Sequence, residues 1–529
     1  MCRHSVAVLP FLLAIAALAG RAGQLGPIQS VAIGEQREFR VNGEPFFPLM
    51  LWLQSDARIP DGLSIAVNTF CGNGGKLSRK AYLDRLAANG LYGVVHLDEA
   101  SVGHSHLLGW IHGDEPDLPR KQSDADVVPA KHLRINKSTP LYRILDGVTH
   151  SWSVLDPMEG AELTVRLQKP VTVQSIAVHA TISKGLAVAK DVAFLGDGAE
   201  ILRATLANRK GQQKSALPRP ATFQSLTLKV LSAYPGEHVW GSIGEIEAFD
   251  AAGGNVLLSV PRTVPRASVD EVAEAYRKLK ALDPTRPVFV TFTAYFMKAF
   301  TDKYDAATKQ ALYPGYVKSC DVAGYDVYPI FGWNKPEWLT RVADGVTELR
   351  AIAGPKRPVY AWIETNVGSR WISPSAQKPL TPQHTRAEVW MAIIRGATAI
   401  GYFTHQWRPS YRQFAPADDM RRELKRLNEQ IARLAPAILA PPAPVKVQVK
   451  MARGPISHFK ATQLGDSLYV FVQNLETYRN KVWVNVEGLE DDATAEVTEG
   501  GQVTSLPGRK GRFVSGIGPL AERIYRIRR

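Results

Sequence analysis

The chain has 529 residues, 45% of them hydrophobic and 22% charged, with a formal net charge of +14. At a prior of ~150 residues per domain this is about three domains, and the composition reads as globular, not as disordered or membrane-embedded. The charge would favour an acidic partner such as a uronic-acid glycan or a cell surface; the basic residues are spread along the chain and form no tract, which reads as a solvated basic surface and argues against nucleic acid.

At the amino terminus Arg3 and His4 precede an apolar run, Val6 to Ala19, with small residues at Ala17-Leu18-Ala19 and Gly20-Arg21-Ala22. This describes a secretory signal peptide over residues 1–22. The run is too short to span a bilayer comfortably, and no later segment is long and apolar enough, so a secreted or periplasmic protein without stable membrane insertion is expected. Cys2 leaves with the signal, while Cys71 and Cys320 lie in strand-like runs and are expected as buried free thiols. No pattern bears on oligomeric state.

Phe39 to Asn42 and Phe46 to Leu53 are strand-like runs separated by Gly43-Glu44-Pro45. Leu63 to Cys71 reads as a strand, Ser78 caps a helix carrying Tyr82, Leu83 and Leu86, and Asn89-Gly90 stops it. Strands over Leu91 to Leu97 and Leu107 to Glu115 continue a βα rhythm, which implies a parallel sheet. Between about Pro119 and Arg266 helical periodicity vanishes. Short alternating strands at Leu163 to Leu167, Val171 to Val173, Ile176 to Val178 and Leu226 to Val230 indicate a β-sandwich inserted over residues 125–260.

The βα rhythm then resumes. Ser268 and Glu271 form a capping box, with Val269, Val272, Tyr276 and Leu279 on one helix face. Strands are expected over Pro287 to Thr293, Val322 to Tyr328, Val359 to Glu364 and Ala399 to Thr404, with helices near Pro336 to Ile352 and His384 to Arg395. A last helix carries Met420, Leu424, Leu427, Ile431 and Leu434. Strands starting near Phe46, Leu63, Leu91, Leu107, Pro287, Val322, Val359 and Ala399 number eight, the closure number of a (β/α)8 barrel, here in two parts, residues 38–124 and 261–438. After the linker Ala440 to Pro444, alternation at Leu468 to Val472, Val482 to Val486 and Ile524 to Ile527 indicates a C-terminal β-sandwich over 443–529. The fold class is α/β: a (β/α)8 TIM barrel with an inserted all-β sandwich and a C-terminal all-β sandwich.

Chemistry gathers at two strand ends. Gly109-Trp110-Ile111-His112-Gly113-Asp114-Glu115-Pro116-Asp117 is an apolar strand stopping in a carboxylate pair followed by proline, which places Glu115 at a C-terminal rim facing a cleft. Pro358-Val359-Tyr360-Ala361-Trp362-Ile363-Glu364-Thr365-Asn366 repeats the design. Two glutamates at the carboxyl ends of separate strands are what glycoside hydrolysis asks of a barrel. With the insertion set aside, about three βα units of ~30–40 residues separate them, which puts them on strands four and seven.

That placement resembles the superfamily of retaining glycoside hydrolases with (β/α)8 barrels, the group containing β-galactosidases and many endoglycanases, over roughly Phe39 to Pro436 minus the insertion. The resemblance implies hydrolysis of a glycosidic bond in an oligo- or polysaccharide through a glycosyl-enzyme intermediate, with Glu115 as acid/base and Glu364 as nucleophile. It implies a tyrosine ending strand six that bonds the nucleophile, matched by Tyr328, and a tryptophan platform ending strand eight, matched by Trp407 beside His405. Trp52 and Tyr295, with Trp110 and Trp362, also lie near strand ends, where core packing is the competing role. One position departs from the pattern: Asp114 stands where an asparagine is expected. A carboxylate there accepts only and raises its neighbour's pKa, which helps an acid, suits a different sugar, or marks a non-catalytic secreted glycan-binding protein on a degenerate barrel. A lyase or transglycosylase on the same barrel would differ only in products.

His104-Ser105-His106 with His96 and Asp98 lack a third ligand at a usual spacing, so no catalytic metal or cofactor is expected. No glycine-rich phosphate loop and no Gly-x-Ser-x-Gly elbow occur. In the insertion, Leu145-Asp146-Gly147 with Ser151-Trp152-Ser153, and Ile243-Gly244-Glu245-Ile246-Glu247-Ala248-Phe249, resemble a discoidin-type (coagulation factor type C) domain. Such modules commonly bind sugars through loops at one end and many carry a structural calcium; a purely structural role is the alternative.

Overall fold

Eight parallel strands close on themselves in chain order: β1 (Leu49–Trp52), β2 (Thr69–Cys71), β3 (Tyr92–Val95), β4 (Leu107–Ile111), β5 (Val288–Phe292), β6 (Val322–Asp326), β7 (Val359–Glu364) and β8 (Ala399–Phe403), with β8 paired to β1. In this computed structural model the described residues are 24–122, 125–129, 141–149, 153–259, 262–454 and 458–529, so the expected signal peptide, Cys2 and the Ser151-Trp152 pair lie outside them. Helices α1 (Ile59–Ser64), α2 (Arg79–Ala87), α3 (Val269–Leu282), α4 (Ala306–Lys318), α5 (Arg341–Ala353), α6 (Pro382–Arg395) and α7 (Asp418–Ile438) alternate with the strands. Among the described residues no helix is long and apolar enough to cross a membrane.

Two strand expectations shift. The first barrel strand begins at Leu49, because Glu44–Phe46 pairs antiparallel with Phe39–Val41 in a three-stranded sheet. Leu63 lies in α1, whose proline at the first turn fits a helix start, and β2 begins only at Thr69. The small sheet supplies apolar side chains to the barrel core: Phe39 stacks on Phe289 at 5.6 Å and Phe46 meets Tyr92 edge-on at 5.4 Å.

Two interior glycines leave room for the aromatic layer beneath the strand C-termini. A Cβ at Gly324 would lie 1.9 Å from Tyr360 Cζ, and one at Gly401 would lie 2.1 Å from Trp362. Trp362 Nε1 donates to Thr291 Oγ1 at 3.0 Å, that hydroxyl meets Tyr360 OH at 2.8 Å, and Trp52 packs on Trp362 at 5.0 Å. The polar tips of these large rings are therefore satisfied inside the barrel.

The chain divides into two compact units, Pro119–Val264 and the remainder. In the remainder, a three-stranded and a five-stranded antiparallel sheet after α7 share one apolar core, with Val449 and Val484 from one sheet and Val470 and Ile527 from the other. These strands also cover α6, so that ten of its residues are buried. Arg386 of α6 is satisfied there by Glu522, Glu423 and Gln430.

The unit Pro119–Val264 is built on a seven-stranded antiparallel sheet. The short strands expected near Leu163, Val171 and Ile176 are one strand, Glu162–Ala180, with register shifts between Arg166 and Val171 and between Val173 and Ser175. Bulges at these shifts let a single strand bend, which sequence alternation alone reads as separate pieces. Cys71 and Cys320 are buried free thiols.

Candidate active site

A cavity of about 900 Å³ opens at the C-terminal ends of the barrel strands. Asp114, Glu115, Trp52, Tyr295, Tyr328, His405 and Trp407, all expected at the site, line it, together with Asp326, Arg266, Arg370 and Trp371. Trp110, by contrast, is core, and its Nε1 donates to Asp283 at 3.0 Å.

Glu115 follows β4 with φ +48°, a left-handed conformation that costs a non-glycine residue ~1–3 kcal/mol and persists where the surroundings over-determine it. The surroundings are visible. Leu118 N donates to Glu115 O at 3.0 Å, Ala267 N donates to Pro116 O at 2.9 Å, and an Arg266 N–H donates to Asp114 O. Asp117, fully buried, accepts from Thr293 N at 3.0 Å, Thr293 Oγ1 at 2.7 Å and Tyr313 OH at 2.8 Å, while its carbonyl accepts from Tyr304 OH at 2.7 Å. The motif's second aspartate is thus the anchor that ties the strand-four rim to the end of β5.

The carboxyl group of Asp326, the last residue of β6, stands close enough to that of Glu115 for the two to share a hydrogen bond when one is protonated. Burial and the charges of Glu115 and Asp114 hold Asp326 well above the usual carboxylate range. Glu115 is also raised by burial, but the bond from Asp326 and the guanidinium groups of Arg266 and Arg370 pull it back. Arg266 lies 3.5 Å from Glu115 Oε2. Burial therefore favours the proton on Asp326, and the two arginines favour the charge on Glu115.

Glu364, the expected nucleophile, is the last residue of β7. Its side chain is 0% exposed and does not line the cavity. The turn leaving β6 folds over it, and Ile330 N at 2.9 and 3.2 Å and Phe331 N at 2.6 Å donate to its carboxylate. Glu388 of α6 stands beside it, raised well above the usual range by burial and by the charge of Glu364, and Glu364 itself is pushed up to about 7 chiefly by burial. Peptide N–H groups, not Tyr328, hold this glutamate. Tyr328 packs its ring on Phe403 at 4.8 Å.

Aromatic rings form one wall. Trp407 stacks on Phe403 at 5.7 Å and on His405 at 6.0 Å, and Tyr411 and Trp371 stand 6.2 and 6.3 Å from it. Trp371 is 66% and Tyr411 57% exposed at the mouth. His405 Nε2 lies 3.1 Å from Trp52 O and Nδ1 lies 3.1 Å from Tyr411 OH; burial lowers its pKa and keeps the ring neutral. Sequence reasoning missed Asp326, Trp371 and Tyr411. Only Asp326 left a signal: Gly324, two residues earlier, faces the interior ring of Tyr360, and strand alternation sends Asp326 the same way.

No family model matches the chain, and no curated protein matches it. Parts of it resemble solved structures. The GH30 endoxylanase from Clostridium papyrosolvens is 12% identical over 50% of this chain and 62% of that one, with a TM-score of 0.30. The alpha-amylase from Geobacillus thermoleovorans, complexed with acarbose, is 9% identical over 50% and 58%, with a TM-score of 0.34. The family 32 carbohydrate-binding module from Streptococcus pneumoniae EndoD is 17% identical over 24% and 99%, with a TM-score of 0.21. Likenesses this distant bear on no residue, and the site is read from its own geometry.

Asp114 is pushed up to about 7, first by burial and then by the charge of Glu115, against Arg266. A carboxyl group whose pKa is higher in the folded than in the unfolded chain keeps a proton that the unfolded chain releases. Its contribution to stability therefore falls as pH rises from about 4 to about 7. Water in the open mouth reaches this residue and damps the effect. Asp114→Asn is expected to gain stability relative to wild type between pH 4 and pH 8; urea midpoints across that range check this, and a pH-independent difference contradicts it.

Proposed function

We propose that the chain is a secreted glycoside hydrolase that cleaves an oligo- or polysaccharide, with Asp326 as the proton donor and Glu115 as the carboxylate opposite it. The observation that carries this reading is the close pair of carboxyl groups at the strand C-termini, both raised by burial, inside a cavity walled by tryptophans. A glycosidic oxygen needs a proton as it leaves, and the anomeric carbon needs a carboxylate as it becomes cationic. Burial supplies the first by holding Asp326 protonated, and Arg266 and Arg370 supply the second by holding Glu115 charged. Trp407 and Trp371 offer faces for the apolar side of a pyranose.

Retention fits the spacing better than inversion. An inverting enzyme keeps its carboxyl groups about 6.5–9.5 Å apart to admit a water and a retaining one about 5–5.5 Å, and the close approach of Asp326 to Glu115 lies on the retaining side. Glu115 is accordingly the nucleophile and Asp326 the acid, which then serves as base for the second step.

For the calcium that the discoidin resemblance implies, we propose Glu245 and Asp146 as two ligands; among the described residues no three His, Cys, Asp or Glu side chains gather as a metal site. Glu245 is fully buried, with Oε1 accepting from Gly147 N at 2.8 Å and Oε2 without a partner among the described residues. Burial, with the charges of Asp146 and Glu247, pushes its pKa up to about 8. A hard cation between Glu245 and Asp146 would supply the missing charge. Calcium is expected to raise the melting temperature of the wild-type chain and to leave that of Glu245→Gln unmoved; equal responses to calcium and to chelator in both chains rule the site out.

The catalytic roles are separable by leaving group. Asp326→Asn is expected to lose ~10²–10⁴ in kcat on oligosaccharides and to recover most of it on aryl glycosides whose leaving group needs no proton, whereas Glu115→Gln loses both activities. A wild-type chain that binds glycans without turnover supports the degenerate-barrel alternative, and wild-type rates for Asp326→Asn on oligosaccharides remove Asp326 from the reaction.

A further inference from the structure

The loop from β7 to α6 brings Arg370 to the cavity mouth in a prepared position. Gly368 has φ +100°, and its carbonyl accepts from Trp407 N at 2.8 Å and Arg408 N at 3.0 Å. A Cβ at Gly368 would meet Arg408 O at 2.5 Å, so a side chain there is excluded on both counts. Asn366 Nδ2 donates to His405 O at 2.9 Å. The loop is thereby fastened to the one leaving β8.

The guanidinium of Arg370 lies over Trp407 and Trp371, 4.9 and 5.3 Å from the ring centroids. Among the described residues no carboxylate forms an ion pair with it, whereas Arg266 is engaged by Asp114 O and Glu115. Ring faces hold the plane of a guanidinium but leave its N–H fork open, and that fork matches the paired oxygens of a carboxylate or sulfate. Burial holds Glu115, Asp326 and Asp114 above the usual carboxylate range, which lessens their pull on the guanidinium.

We infer that Arg370 is the anion-recognition residue of this site, taking a carboxylate or sulfate on a sugar bound at the mouth beside Trp407 and Trp371. The inference rests on the hydrolase reading and narrows its substrate class to anionic glycans.

Binding tests it independently of turnover. In full-length Glu115→Gln, titration calorimetry compares a uronic-acid tetrasaccharide, its carboxyl-reduced neutral counterpart and a sulfated neutral tetrasaccharide, before and after adding Arg370→Gln. At least one anionic ligand is expected to lose tenfold or more in affinity while the neutral one changes by less than threefold; the ligand that loses identifies the anion. An equal loss for all three, which would mean that Arg370 only supports the tryptophans, overturns the inference, as does the absence of measurable binding by both anionic ligands. Turnover of the same sugars by wild type is scored separately, so that a chain that binds anions without cleaving them refutes the hydrolase and leaves Arg370 in its role.

Discussion

Two carboxyl groups held close together at the barrel mouth set the terms for everything around them. Side by side in a partly enclosed site they cannot both ionise cheaply, so the surroundings decide which one keeps the proton. Here the decision is made by position. Asp326 ends a strand in the barrel wall, where burial favours its neutral form, while Glu115 sits on a strained rim beside two arginines that favour its charge. The strain is sustained by Asp117, whose three accepted hydrogen bonds fix the rim to β5, and by the Arg266 bond to the Asp114 carbonyl.

Under the proposed roles Glu364 stays outside the chemistry. In the chain it looks like a twin of Glu115, an acid closing an apolar run before polar residues. The difference lies in what other elements deliver to it. Peptide N–H groups of the β6 turn and the neighbouring Glu388 of α6 make a closed buried environment, and a carboxylate so engaged gains nothing by turning to the cavity. Those donors come from residues more than thirty positions away in one direction and more than twenty in the other, beyond the reach of local pattern.

What was legible follows the same division between local and remote. The Ser78 cap, the Ser268–Glu271 capping box and the buried row Met420, Leu424, Leu427 and Ile431 are set by near neighbours and stand as read. The eight-strand count survives with shifted starts at Leu49 and Thr69. Asp326 was hidden because a single acid inside Gly324 to Pro329 gives no sign of facing inward until the glycine beside Tyr360 is known to mark the interior. Trp371 and Tyr411 lie outside helices and strands, and no periodicity aims them; the hydrogen bonds of Gly368 to the strand-eight loop show how one such loop is held.

The proposed reaction depends on which carboxylate meets the anomeric carbon. Incubation with a panel of activated 2-deoxy-2-fluoro glycosides, followed by intact mass and peptide mapping, reads this directly. One fluoroglycosyl group on Glu115 is the predicted result, and a label on Glu364 or on Asp326 would contradict it.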